Sequence, residues 1–343
     1  MATIININAE QQSTSNTLDD LHLYFAEDLS QVEATLTAHL ASAASLIPEV
    51  SEHIIGAGGK RLRPLLTLSA SRIAGYRGAH HITMAAAVEF MHTATLLHDD
   101  VVDGSDLRRG KPTARKIWGN PTSVLVGDFL LGQAFRMMVA AGNLATLDVL
   151  SNAAAVIAEG EVMQLAAMRN ADISEDNYLR IIEAKTAALF AAAAEVGGIL
   201  AGASETEIEA LKSYGKNLGI AFQLVDDALD YGSVNRVLGK NTGEDFREGK
   251  VTLPVLLAYR RGDQTGRAFW ERAMSAQIDG SNDYEADFEM AVQYLQTTGA
   301  LKDTVARATH FGERAKDALA LFPPSDMRTL LIQLSEFSIA RAY

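Results

Sequence analysis

The sequence predicts an all-α protein, and three observations carry that reading. Apolar residues recur at three- and four-residue steps from Leu18 onward (Leu18, Leu21, Phe25, Leu29, Val32, Leu36, Leu40), which is the spacing of one helix face. Alanine dominates an apolar fraction of 48%, proline appears only seven times and aromatics make up 7%, a mixture that favours helix over sheet. No run alternates apolar and polar residues between turn signals as a strand would.

The elements follow from the N-terminus. Residues 1–17 are polar and are expected to form a flexible leader, with neither the basic nor the apolar region of a signal peptide. From 18 to 343 no low-complexity linker divides the chain, so one domain is expected. Helices are separated at Pro48, Gly56–Gly59, Gly75–Gly78, Gly104–Pro121, Gly142, Asn170–Ser174, Gly202–Ser204, Gly232–Gly249, Gly262 and Pro323–Pro324. Pro48, Pro121 and Pro254 suit first-turn positions, and Ser204 with Glu207 has the spacing of a capping box. The stretch Ala187–Ala203 is the most membrane-like, but it carries Glu195 and is mostly alanine and glycine. It reads as a buried, closely packed helix, and no transmembrane segment is expected. Residues 103–121 and 232–250 are long, charged loops, and long ordered loops in compact domains are usually functional.

Composition narrows the function. With 43 acidic against 30 basic residues the formal charge is −13, which argues against a general nucleic-acid binder. The absence of cysteine excludes disulfides, thiolate zinc sites and cysteine nucleophiles, and it suits the reducing cytoplasm, where the protein is expected.

Each of the two charged loops follows a helix ending in the pattern D-D-x-x-D. The first gives Asp99, Asp100 and Asp103, and the second, 127 residues on, gives Asp226, Asp227 and Asp230. Positions i and i+4 share a helix face, and carboxylates at a helix C-terminus are opposed by the macrodipole unless a cation binds them. Oxygen-only ligands suit a hard cation such as Mg²⁺, whose remaining ligands are commonly water and phosphate. A di-iron bundle would need two Glu-x-x-His motifs, and the eight histidines provide only Glu89 with His92.

Basic residues stand in distinct places beside these clusters. GGKRLRP supplies Lys60, Arg61 and Arg63, and DLRRGKPT supplies Arg108, Arg109 and Lys111. Lys185 and Thr186 interrupt an alanine-rich helix, and Lys240 and Lys250 lie in the second loop. Arg61 and Lys111 are expected to be ordinary surface charges. Arginine forks and lysine point charges are the usual grips on phosphate, so the ligand class that fits is a diphosphate.

The segments GGKRLRP, HTATLLHDDVVDGSDLRRGKPT, EAKTAAL, AFQLVDDALD and GKNTGEDFREGKVTLP, in that order, resemble the all-trans isoprenyl diphosphate synthases, or polyprenyl synthetases. The resemblance implies a transferase with the isoprenoid-synthase fold, an all-α bundle around a deep central cavity. It implies a homodimer that condenses isopentenyl diphosphate with an allylic diphosphate such as farnesyl diphosphate. Asp99, Asp103 and Asp226 would be direct magnesium ligands, and Asp100, Asp227 and Asp230 ligands or their immediate neighbours, for three Mg²⁺ ions with the allylic diphosphate bound. Arg108, Lys185 and Lys240 would stabilise the leaving diphosphate, with Thr186, Gln223 and Lys250 close to it. Lys60, Arg63, His92 and Arg109 would grip isopentenyl diphosphate.

In this family the residues four and five before the first aspartate act as a floor for the growing chain. Here they are the small Thr95 and Ala94, with Met91 deeper. A long product is therefore expected, in the C40 to C50 range of quinone tails, with decaprenyl diphosphate for a ubiquinone side chain the leading case and membrane association at product release. The alternatives are a shorter farnesyl or geranylgeranyl product, or a terpene cyclase. A cyclase would show an Asn/Asp–Ser/Thr–Glu pattern where this chain has DDALD, and it would leave GGKRLRP without a second substrate.

Overall fold

The computed structural model describes residues 17–56, 58–232, 243–275 and 284–341. The chain is helical almost throughout, as its patterning predicts. Among the described residues the only strands are Leu107–Arg108 and Lys111–Pro112, a two-residue antiparallel hairpin inside the first charged loop. The expected leader lies outside the described residues as far as residue 16, and Thr17 already begins a helical turn. The chain forms two compact units, Met1–Ala155 with Leu189–Gly215 and Ala318–Leu334, and Val156–Ala188 with Lys216–Asp317 and Ser335–Tyr343.

The first unit is organised on the helix His80–Val102. Its central residues, from Met84 to Met91, are all buried, so it lacks a polar face and acts as a core helix. It packs along Asn120–Ala141 and against Leu62–Ile73 and Ala26–His39. The helix Ala188–Ala201 is as closely packed as its alanines and glycines suggest. A Cβ on Gly197 would lie 2.6 Å from the backbone nitrogen of Ser71, so only glycine admits that approach.

The second unit has an aromatic core in which Phe246 contacts Trp270, Tyr284 and Phe288, while Tyr231 stacks on Phe288. Phe246 sits on the short helix Glu244–Glu248 and is wholly buried, which anchors the segment following the second aspartate cluster.

The capping box at Ser204 is formed. The Glu207 carboxylate accepts from the Ser204 amide at 2.9 Å, and the Ser204 hydroxyl accepts from the Glu207 amide at 3.3 Å. Pro121 and Pro254 stand in first turns as expected. By length and composition alone, Asn120–Ala141 and Glu175–Ala201 are long and apolar enough to cross a membrane, the second containing most of the stretch Ala187–Ala203 read above as a buried helix. Two thirds of the apolar window in Glu175–Ala201 is buried, as befits a core helix, but only 39% of that in Asn120–Ala141. The exposed share of the latter includes Leu125 and Val139, both about two-thirds exposed.

Candidate active site

In the first unit, the helix His80–Val102 delivers Asp99 and Asp103 one turn apart at its C-terminus, both partly exposed. Asp100 points inward and is almost fully buried. Its Oδ1 accepts from Arg108 Nε at 2.9 Å and Nη2 at 2.8 Å. Burial pushes the Asp100 carboxyl up, against the pull of Arg108. The hairpin makes this pairing possible. Its two-residue turn, Arg109–Gly110, has φ of 53° and 75°, the left-handed pair required by the tightest hairpins, and it returns Arg108 toward the helix. The structure thus joins two residues that the sequence assigned to metal and to diphosphate.

GGKRLRP lies against the same helix. Arg63 Nη1 donates to His92 Nε2 at 3.1 Å, and its guanidinium covers the Phe190 ring at 4.5 Å. Burial, and then Arg63, Arg108, Arg109 and Arg61, hold the His92 imidazole well below its ordinary range, so it is a neutral acceptor ringed by guanidinium groups. Arg109 is held below its usual value by burial and by Arg108. A Cβ on Gly59 would meet Arg109 Nη1 at 2.9 Å, so the glycine lets that guanidinium lie against the loop. Lys60, Arg63, His92 and Arg109, the expected isopentenyl diphosphate grip, therefore belong to one basic region of this unit.

Arg61 corrects the expectation of a surface charge. It is mostly buried and pairs with Glu33 at 2.9 Å and Glu89 at 2.5 Å. The reason is that Glu89 is itself buried in the core helix and needs a cation. Lys111 is exposed, as expected.

Ala94 and Met91 are buried on the core helix, and Thr95 is partly buried, its hydroxyl donating to the His92 carbonyl at 2.8 Å. On the adjoining helix Met137 and Met138 are buried, with Phe129 and Phe135 partly so.

In the second unit, Lys185 and Thr186 lie in a π-helical turn, Glu183–Ala187, that interrupts the alanine-rich helix. Such turns concentrate at functional sites because they re-aim side chains. Lys185 donates to Glu161 at 2.8 Å. Thr186 Oγ1 donates to Gln223 Oε1 at 2.9 Å, and Gln223 Nε2 donates to Asp227 Oδ1 at 2.7 Å. Asp227 Oδ2 accepts from the buried Tyr178 hydroxyl. A hydrogen-bonded chain thus links the π turn to the second aspartate cluster.

The other two aspartates are held differently. Asp226 accepts from Arg341 at 2.6 Å. Asp230 accepts from the amides of Glu244 and Asp245, each at 3.1 Å, and so caps the short helix Glu244–Glu248. Burial, then Asp245, push the carboxyls of Asp227 and Asp230 well above the usual carboxylate range. A pocket of about 100 Å³ is lined by Lys185, Thr186, Gln223, Asp227, Asp245 and Lys250, among others. Lys250 pairs with Glu248 at 2.6 Å, while Lys240 lies outside the described residues.

Sequence reasoning missed Glu161, Tyr178 and Asp245. Glu161 and Gln164 are polar interruptions of an apolar run, AVIAEGEVMQLAA, and were legible as such. Tyr178 carried no signal, because a tyrosine on an amphipathic helix reads as core. Among the described residues no three metal-binding side chains are gathered at one point.

The polyprenyl synthetase family model matches residues 44–294. The chain is 45% identical over 324 residues to the octaprenyl diphosphate synthase of Escherichia coli strain K12, covering 94% of this chain and 99% of that one. Among solved structures, a decaprenyl diphosphate synthase from Rhodobacter capsulatus matches with a TM-score of 0.90 and 48% identity, covering 95% of this chain and 99% of that one. A polyprenyl synthase from Caulobacter crescentus CB15, complexed with calcium and isoprenyl diphosphate, matches with a TM-score of 0.90 and 50% identity, covering 95% and 98%. The helical architecture, the two aspartate helices with their basic partners, and these likenesses along nearly the whole chain place it in the polyprenyl synthetase family of transferases, with the isoprenoid-synthase all-α fold.

Proposed function

We propose that the protein condenses isopentenyl diphosphate with an allylic diphosphate, farnesyl diphosphate for example, to give an all-trans polyprenyl diphosphate of C40 to C50, with decaprenyl (C50) for a ubiquinone side chain the preferred product. The observation that carries the long product is the pair Ala94 and Thr95 below Asp99, both too small to stop a growing chain. Chromatography of radiolabelled products from isopentenyl and farnesyl diphosphates tests it. Products of C40 or longer agree, and products that stop at C15 or C20 overturn it.

Enzymes of this family depend on Mg²⁺. The donor set suits it, since both clusters offer oxygen alone and Asp99 with Asp103 share a face one turn apart. In this reading Asp99, Asp103 and Asp226 are direct ligands, Asp100, Asp227 and Asp230 ligands or their supports, and three ions accompany the allylic diphosphate. Magnesium, when bound, neutralises the diphosphate that departs as the allylic cation forms. Lys185, Lys240 and Arg108 add fixed positive charge to that leaving group, with Thr186, Gln223 and Lys250 orienting it. Lys60, Arg63, His92 and Arg109 hold the second diphosphate without metal, so the isopentenyl double bond is presented to the cation. Released diphosphate takes the final proton.

The same reading includes a homodimer. Leu125, Gly132 and Val139 recur every seven residues on the outer face of Asn120–Ala141, and Leu144 follows them, 81% exposed. An apolar face of that kind suits a second copy of the chain. A monomeric mass in solution at assay concentration would refute it. Work in the cytoplasm, with the product released to a membrane, completes the proposal.

A further inference from the structure

Glu89 and His92 form the only Glu-x-x-His pair in the sequence, and the metal reading leaves Glu89 without a role. The structure gives the pair one. One helical turn apart on the core helix, the two side chains take the two arginines of GGKRLRP: Glu89 accepts from Arg61 at 2.5 Å, and His92 accepts from Arg63 at 3.1 Å. Arg61 also donates to Glu33 at 2.9 Å and to the carbonyl of Ile55 at 3.2 Å, so its fork ties together three helices.

Two further features show that this arginine is held in place. Its backbone is left-handed, with φ of 48°, at the cap of the helix Leu62–Ile73, a conformation that a non-glycine residue keeps only when its surroundings impose it. Burial works against its charge, but Glu89 and then Glu33 more than offset that, so its pKa ends above the usual guanidinium value. With its donors committed to two carboxylates and a carbonyl, Arg61 has little to offer a substrate anion. Glu89, for its part, is a buried carboxylate among guanidinium groups. The field of Arg61, Arg63, Arg108 and Arg109 converges on His92, and Glu89 also acts on Arg109. A cluster of guanidinium groups repels itself until an anion enters, and Glu89 is the built-in anion that holds it together beforehand.

We propose that Arg61 and Glu89 are a positioning pair for the isopentenyl diphosphate grip, fixing the backbone turn between Lys60 and Arg63 and holding the arginine cluster assembled before substrate arrives. This rests on the assignment of Lys60, Arg63 and Arg109 to that substrate.

Steady-state kinetics with isopentenyl diphosphate varied and farnesyl diphosphate saturating test the pair. Arg61→Met should raise KM for isopentenyl diphosphate about tenfold, with kcat within about twofold and KM for farnesyl diphosphate unchanged, as expected for a loss of ground-state positioning. Arg61→Lys keeps the charge but loses the planar fork that reaches Glu33, Glu89 and the Ile55 carbonyl together, so its KM should lie between wild type and Arg61→Met. Glu89→Gln should resemble Arg61→Met, and the double variant should be no worse than either alone, since partners in one interaction do not add. Thermal melting identifies a variant that fails to fold, and Arg61→Lys, the mildest change, then decides. Unchanged KM for isopentenyl diphosphate in Arg61→Lys and Glu89→Gln overturns the proposal, as does a parallel loss in kcat and in both KM values. Lys60→Ala separates the two levels: if it too leaves KM unchanged, the substrate assignment fails, whereas a raised KM there with normal Arg61 variants refutes the pair alone.

Discussion

The ammonium of Lys185 lies 2.8 Å from Glu161, held there by a π turn in an alanine-rich helix. An interrupted helix is less stable than a regular one, and the interruption falls at the one lysine of that segment. If Lys185 stabilises charge on the departing diphosphate, its contribution belongs to the transition state. Lys185→Ala should then lower kcat about a hundredfold or more while changing KM values little, because removing one charge-stabilising donor costs roughly 3–4 kcal/mol. A rise in KM alone would assign Lys185 to ground-state binding.

Gly160 packs under that turn. A Cβ there would lie 2.7 Å from the backbone nitrogen of Lys185 and 2.9 Å from the Ala184 side chain. Gly160→Ala, ordinarily a gain in helix propensity, should instead destabilise the protein by about 1–3 kcal/mol through overpacking, and should lower kcat by displacing Lys185. Thermal melting and turnover check both effects, and a stabilised, fully active variant would show that the turn yields freely.

Both aspartate clusters should be necessary. Asp99→Ala and Asp226→Ala each remove one oxygen ligand from the proposed magnesium set, and each should cut turnover by about two orders of magnitude or more. Turnover measured across a magnesium titration separates the cases. A variant restored by high magnesium has lost affinity, and one near wild type at ordinary magnesium contradicts a role for that cluster.

The fold was legible in the sequence because helical periodicity, capping residues and glycine breaks agree from Leu18 onward. The aspartate clusters were legible because their spacing repeats. The state of those aspartates was not. The i, i+4 spacing sets Asp99 and Asp103 apart from Asp100, but nothing local shows that Asp100 is buried against Arg108, a contact set by a hairpin too short to show any alternation. Arg61 and Arg63 stand two residues apart in one basic motif and differ in their partners, a buried glutamate for one and a neutral histidine for the other. Partners 28 and 29 residues away are invisible to local pattern. Asp245 was hidden in a run of charges, EDFREGK, whose burial depends on Phe246 entering the aromatic core.

His92 gives stability a defined pH dependence. Burial and the surrounding arginines hold its folded pKa well below 6.5, so the unfolded chain takes up a proton near that value while the folded chain stays neutral. Where the unfolded state binds more protons, stability rises with pH. The contribution is therefore complete above about pH 6.5 and is lost as pH falls, at up to about 1.4 kcal/mol per unit. Denaturant midpoints between pH 5 and 8 should therefore rise more with pH, or fall less, in the wild type than in His92→Gln, which cannot take up the proton, while the raised carboxyls of Asp227 and Asp230 act in the opposite sense equally in both. Equal slopes would mean that His92 titrates normally.

In the proposed reading, product length depends on what stands below Asp99. Ala94 is buried, and Thr95 is turned back on its own helix by a hydrogen bond to the His92 carbonyl, so neither projects bulk. From Asp99 to the start of the helix at His80 the axis runs about 29 Å, at a rise of about 1.5 Å per residue. A long prenyl chain growing down this helix meets Met91 and then the neighbouring helix, where Phe129, Phe135, Met137 and Met138 are the bulky residues that could set the final stop. Ala94→Tyr raises the floor, and products should shorten to the C15 to C20 range. Because Ala94 is buried, the new ring must enter the space meant for product or else overpack the core, at a cost of about 1–3 kcal/mol. Melting and product chromatography together distinguish these outcomes. A stable variant with short products confirms that Ala94 borders the product's path. A stable variant that still makes C40 or longer chains shows that the path lies elsewhere, and a destabilised variant with unchanged products places Ala94 in the core alone.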